Sequence, residues 1–183
     1  MDLKSLHKYT YREYQFFPSD GNRHEVVNGE HYMNPAPSTR HQTVSRHLQF
    51  QLYTQLELQQ RGKVFNAPTD VELASHDVVQ PDLVVILTAN QRIITPKRIR
   101  GIPDLCVEII SESNPDYDRI LKLEMYQRCG VPEYWIVDPQ EQVVDVYVLA
   151  DQKSYTHTRC AESVLRPTFI SDVEIDLDKI WRD

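Results

Sequence analysis

A glutamate inside an apolar run constrains this chain more than any other feature. In Asp104-Leu105-Cys106-Val107-Glu108-Ile109-Ile110-Ser111 the residues around Glu108 read as a buried strand. An ionised carboxylate in a core needs a metal, a cation or several hydrogen bonds, because losing its hydration costs several kcal/mol, on the order of a whole domain's net stability. A second acid, Asp82, follows Gln80-Pro81 and opens Leu83-Val84-Val85-Ile86-Leu87, another run with the character of a buried strand. Two acids brought together on neighbouring strands repel, and a divalent cation is the common relief. The pair points toward a metal-dependent hydrolase.

The chain has 183 residues, enough for one domain spanning 1–183 with a core that needs no staples. No run approaches the roughly 20 apolar residues that cross a bilayer, so membrane insertion is not expected. Met1-Asp2-Leu3-Lys4 lacks the apolar stretch of a secretory signal, and Cys106, Cys129 and Cys160 form no CxxC pair. A cytoplasmic protein with reduced core cysteines at 106 and 129 is expected. The net charge of −7 argues against a surface given over wholly to nucleic acid. A local basic track remains open, since Arg92, Lys97, Arg98 and Arg100 cluster between the two acid-bearing strands, either as a solvated loop or as phosphate contacts.

Thr10 with Glu13 three residues on predicts a short helix to about Phe17. His24 to Val27 and Glu30 to Met33 flank Asn28-Gly29, a dipeptide suited to a type I′ hairpin turn. Ser38 then caps a long helix carrying Val44, Leu48, Leu52 and Leu56 at every fourth position, stopped by Gly62. His41 extends that stripe, so it faces inward. Three strands follow, Val64 to Leu73, Val79 to Leu87 and Leu105 to Ser111, the first two turning at Asp77. Asn114-Pro115-Asp116 caps a second helix with Tyr117, Ile120, Leu121, Met125 and Cys129, ending at Gly130. Tyr134 to Val137 and Val143 to Leu149 read as strands, Ser154 to Arg159 and Glu162 to Leu165 as edge strands, and Leu177 to Trp181 as a short helix. The fold class is mixed α/β, a central sheet flanked by helices.

The order helix, three strands, helix, strand, with acids on the second and third strands, resembles the PD-(D/E)XK nuclease superfamily. Five local motifs resemble, more narrowly, the Uma-type family of putative restriction endonucleases. They are Tyr9-Thr10-Tyr11 with Tyr14, Val27-Asn28-Gly29-Glu30, Pro35-Ala36-Pro37-Ser38 with His41-Gln42, Gln80-Pro81-Asp82-Leu83, and the block from Pro103-Asp104-Leu105 through Val137-Asp138-Pro139. Their order and spacing make the match specific. The resemblance implies a restriction endonuclease-like fold and a metal-dependent phosphodiesterase that cleaves DNA, with Asp82 as first acid and Glu108 as second. Ile110 stands where many relatives carry a lysine; in this family the lysine comes from the following helix, here Lys122. Lys122 is equally well spaced from Asp118 for an ordinary i,i+4 surface ion pair.

Phosphodiester hydrolysis needs an activated water in line with the leaving oxygen and relief of charge on the phosphoryl group. Asp82 and Glu108 would bind Mg²⁺, or Mn²⁺ in its place, with a main-chain carbonyl near Ile109 or Ile110 completing the shell. Lys122 would orient the water and offset charge as it develops. Glu30 resembles the family's additional acid, as a second metal or water contact, or is an exposed hairpin residue. His41 and Gln80 support substrate or site, or are simply hydrogen-bonded in the core. Asp104 shares a strand face with Glu108 or accepts turn hydrogen bonds. No HExxH, GxSxG or phosphate-cradling glycine loop is present, and nothing singles out a cysteine with an activating base. The rival reading is a non-catalytic nucleic-acid or protein-binding module that keeps the fold; a satisfied core network of acids with Arg or Lys is a third. A duplex-cleaving enzyme would most simply act as a homodimer.

Overall fold

The computed structural model describes residues 7–111, 116–151 and 154–182. Helix α1 (Tyr11–Tyr14) leads to the hairpin of β1 (Arg23–Val27) and β2 (Glu30–Asn34). Its turn residues Asn28 and Gly29 have φ of 52° and 80°, the positive pair that a type I′ turn requires. The Ser38 hydroxyl accepts the His41 N–H at 3.2 Å and caps α2 (Thr39–Leu52), which a π-helical turn, Tyr53–Glu57, continues. The expected stop at Gly62 is displaced. The chain turns at Gln60, with φ of 57°, and Gly62 already belongs to β3 (Gly62–Asn66), where a Cβ would come within 2.7 Å of the Ile86 carbonyl oxygen.

Two of the expected strands are each divided. The run from Val64 to Leu73 splits into β3 and β4 (Val71–Ala74), and that from Val79 to Leu87 into β5 (Asp77–Val79) and β6 (Leu83–Leu87). Pro68 and Pro81 fall in the breaks and have no N–H for a ladder, so at both points the chain leaves one sheet and enters the other. A 3₁₀ turn, Thr88–Ile93, precedes β7 (Ile99–Arg100) and β8 (Leu105–Ile109). A π-helical stretch, Tyr117–Lys122, runs into α3 (Leu123–Cys129), which ends at Gly130 with φ of 81°. Of the expected cap, Asn114 and Pro115 lie outside the described residues. Then come β9 (Glu133–Asp138), β10 (Val143–Ala150) and β11 (Ser154–Cys160). The expected strand Glu162 to Leu165 shortens to β12 (Val164–Leu165), which pairs with β13 (Ile175–Asp176) ahead of α4 (Leu177–Ile180).

The larger sheet has the order β11-β10-β9-β8-β6-β3 and the smaller β2-β1-β5-β4-β7. Within the larger one β8 and β9 are parallel and the other pairs antiparallel. Such a sheet is buried on both faces, which is why its central strands read as continuous apolar runs. On one face α2 and its π-helical continuation lay Val44, Leu48, Leu52 and Leu56 against Leu83, Val85, Leu105 and Val107. Each is at most 1% exposed and contributes about 1.5–3 kcal/mol by leaving water. On the other, Val84, Ile86, Cys106 and Ile136 meet Met125 and Tyr126 of α3 and Val71 and Val79 of the smaller sheet. Alternation along β8 sends Glu108 to the same face as Cys106, toward α3. Among the described residues no helix is long and apolar enough to cross a membrane.

Candidate active site

The site lies where β6 begins, β8 ends and α3 starts. Asp82 precedes β6 and is 4% exposed. Its Oδ2 accepts the Ile109 N–H at 2.8 Å and faces His41 Nε2 at 2.9 Å, while Oδ1 lies 2.7 Å from Arg23 Nη1. Burial alone would raise the Asp82 pKa; the hydrogen bond and charge of His41, then Arg23 and the Ile109 N–H, outweigh it and hold the group at about 2.

Glu108 is 2% exposed, and its Oε1 accepts from Lys122 Nζ at 2.8 Å and from the Tyr126 hydroxyl at 2.7 Å. Lys122, also 2% exposed, lies 3.0 Å from Glu25 Oε1 and 3.8 Å from Asp118 Oδ1. The surface ion pair with Asp118 is therefore not what is found; the π-helical stretch carries both residues inward, a form of helix frequent at functional sites. Glu25 is held further by the Gln80 N–H at 2.6 Å, Asn34 Nδ2 at 2.6 Å and the Tyr117 hydroxyl at 3.0 Å.

Four buried carboxylates, Glu25, Asp82, Glu108 and Asp118, thus face Lys122 and Arg23, with the His41 imidazole against Asp82. The excess negative charge bears on the protonation of these groups. Burial pushes Glu108 up to about 8, against the pull of Lys122 and with the help of Asp118, Asp82 and Glu25. Asp118 rises to about 6 for the same reasons, burial first. Burial would lower the Lys122 pKa, but Glu108, Glu25 and Asp118 carry it well above the ordinary lysine range. A divalent cation would relieve such an excess. Among the described residues no three His, Cys, Asp or Glu side chains form a preset metal cage. Asp82 and Glu108 could serve a cation such as Mg²⁺, which keeps several waters and takes one or two carboxylates together with substrate phosphate.

Asp82, Glu108, Lys122 and His41 all line one cleft of about 860 Å³. Glu30 does not join them. It follows the hairpin turn, is exposed, and accepts from the Tyr32 hydroxyl at 3.0 Å. The acid that reaches Lys122 is Glu25, two residues deeper in β1 than Val27, the register partner of Glu30. Its sequence signal is that of Glu108, an acid beside apolar β-branched neighbours, Val26 and Val27. The Gln80 amide is also directed elsewhere, donating to the Tyr14 hydroxyl at 3.0 Å and to Asp70 at 2.9 Å. Asp104 accepts the Leu87 N–H at 2.8 Å and is a turn residue. The basic loop lies away from the site: Arg98 Nε is 2.6 Å from Glu72, its guanidinium 3.8 Å above the Tyr11 ring, and none of the four cations lines the cleft. Arg23 and Tyr126 had no sequence signal, since each reaches its partner only through tertiary packing.

The Uma2 family, described as "putative restriction endonuclease", matches residues 10–178. The chain belongs to the Uma2 family. No curated protein matches it. Among solved structures, a putative nuclease of the DUF820 family from Anabaena variabilis ATCC 29413 superposes with a TM-score of 0.78 at 19% identity, covering 94% of this chain and 97% of that one. The mixed α/β architecture of this Uma2 chain is thus the restriction endonuclease-like fold, in a family described as putative restriction endonucleases.

Proposed function

We propose that this Uma2 protein is a Mg²⁺-dependent DNA endonuclease that hydrolyses phosphodiester bonds in the cleft around Asp82, Glu108 and Lys122. The observation that carries the reading is the cluster itself: buried acids outnumber their cations, and a lysine stands 2.8 Å from the central glutamate. Asp82 and Glu108 would hold the cation, with a main-chain carbonyl at the end of β8. Mg²⁺, or Mn²⁺, supplies charge neutralisation on the phosphoryl oxygens and a more acidic water. Lys122 points its ammonium into the space beside Glu108, where it orients the attacking water and offsets charge that develops on phosphorus-bound oxygen. Glu25 and Tyr126 fix that ammonium and the Glu108 carboxylate in place. His41 holds the Oδ2 edge of Asp82 and, at the first turn of α2, borders the path of the phosphate. Two such sites would cut the two strands of a duplex, so the working form is a homodimer, which sedimentation velocity would reveal.

A non-catalytic binding module is the competing reading, favoured by Arg23, which already neutralises one oxygen of Asp82. Incubating the purified protein with plasmid, linear and single-stranded DNA, with and without Mg²⁺ or Mn²⁺, decides between them. Metal-dependent cleavage that Lys122→Met abolishes supports the nuclease. Binding without cleavage under every condition rejects it.

A further inference from the structure

Two clefts meet at Asp82. The first, described above, contains Glu108 and Lys122; the second, of about 760 Å³, lies between α1, α2 and the break from β3 to β4, and neither of those residues lines it. Arg23, His41 and Asp82 line both. Arg23 and Asp82, in contact at 2.7 Å, are two of the residues the clefts share.

The deep wall of the second cleft is internally satisfied, with Tyr14, Asp70 and Gln80 bonded to one another. Its outer wall is not. Gln15 at the end of α1 and Gln42 and Arg46 on successive turns of α2 are exposed and direct their side chains to no partner among the described residues. A primary amide offers a donor and an acceptor side by side, the pattern that matches the edge of a nucleobase. Phe17 and Pro37 add apolar surface against which a base face can lie. Arg46 supplies an unpaired cation of the kind that holds phosphate. The volume falls within the roughly 300–1,000 Å³ of clefts that enclose a compact ligand. One nucleotide is a ligand of that class.

We propose that the second cleft is a subsite for one unpaired DNA nucleotide adjoining the scissile phosphate, its base edge read by Gln15 and Gln42 and its outer phosphate held by Arg46. The assignment rests on the nuclease reading above and extends it to a substrate class. Entry of a base into this cleft requires it to leave its stack, which is cheapest where the base is already unpaired. Cleavage is therefore directed to junctions, overhangs or mismatches in preference to uninterrupted duplex.

The test compares one sequence as a full duplex, as a duplex with a single unpaired nucleotide moved stepwise along it, and as a single strand, each cut by wild type, Gln15→Ala, Gln42→Ala and Arg46→Ala with Mg²⁺. Wild type is expected to cut beside the unpaired nucleotide roughly tenfold or more faster than in the full duplex, with a preference among the four bases there. The two amide variants flatten that preference, and Arg46→Ala raises KM alike for all four. Equal cutting of paired and unpaired substrates, or a base preference that survives both amide variants, overturns the subsite. If wild type cuts nothing, the nuclease reading has failed, and anisotropy with the same oligonucleotides then tests the subsite alone. Tighter binding of the unpaired substrates that is lost in Gln42→Ala supports it; indiscriminate binding, or none, overturns it.

Discussion

Lys122 Nζ lies 2.8 Å from Glu108 Oε1, and both residues are 2% exposed. A pair so deeply buried is costly to break from one side, because the partner left behind is a charge without compensation. Lys122→Met keeps the stem and removes the charge. It is expected to abolish cleavage and to lower stability by about 3–5 kcal/mol above pH 8, where Glu108 is ionised in the wild type. The loss should shrink at pH 5, where the stranded carboxylates bind protons. Urea denaturation at the two pH values measures this, and an equal loss at both contradicts it.

Glu108 and Asp118 also set the pH dependence of the metal-free protein. Both are held above their ordinary values, at about 8 and about 6, so the folded state binds their protons more tightly than the unfolded chain. Their contribution is fully present below the unfolded carboxyl range and is lost as pH rises through 6 and then 8. Asp82 has the opposite sign, with stability present above its unfolded value and lost only as pH falls toward 2. The melting temperature in EDTA should therefore decline from pH 5 to pH 8.5. A flat or rising profile would count against this charge distribution.

Mg²⁺ should reverse that decline, since a ligand bound only by the folded state stabilises it by mass action. The rise in melting temperature on adding Mg²⁺ is expected to be larger at pH 8 than at pH 6, where protons compete for Glu108. Glu108→Gln should abolish the rise and flatten the EDTA profile. Retention of the full metal shift in that variant would remove Glu108 from the ligand set.

Glu25 and Glu30 offer a paired test on one hairpin. Glu25→Gln withdraws a charge 3.0 Å from Lys122 and should slow cleavage roughly 100- to 1,000-fold. Glu30→Gln, on an exposed strand end, should leave cleavage unchanged and stability within about 0.5 kcal/mol. Equal effects of the two on turnover would show that Glu25 only supports the fold.

What was legible in the sequence is what local chemistry determines. Asn28-Gly29 marked its turn because few other dipeptides take two positive φ values, and Glu108 marked the site because a carboxylate in an apolar run needs a partner. The division of the two long strands had a signal in Pro68 and Pro81, which a central ladder does not take; what was hidden is which sheet each half joins, and tertiary packing decides that. The choice of Glu25 over Glu30 had the same origin. Both sit in the hairpin, and only its docking against α3 determines which acid faces Lys122. Arg23 reads as a loop cation after Asp20-Gly21, and nothing local signals that it reaches Asp82, 59 positions along.

The register of β6 with β8, continued past Leu83 and Val107, sets Ile109 opposite Pro81, and there the Ile109 N–H goes to the Asp82 carboxylate. The last rung between β6 and β8 is thus a charged one, made by a side chain where a peptide oxygen would ordinarily stand. Whatever draws on the charge of Asp82 draws on that rung. A cation held by Asp82 would loosen the grip on Ile109, so the order at the end of β8 would report whether one is bound.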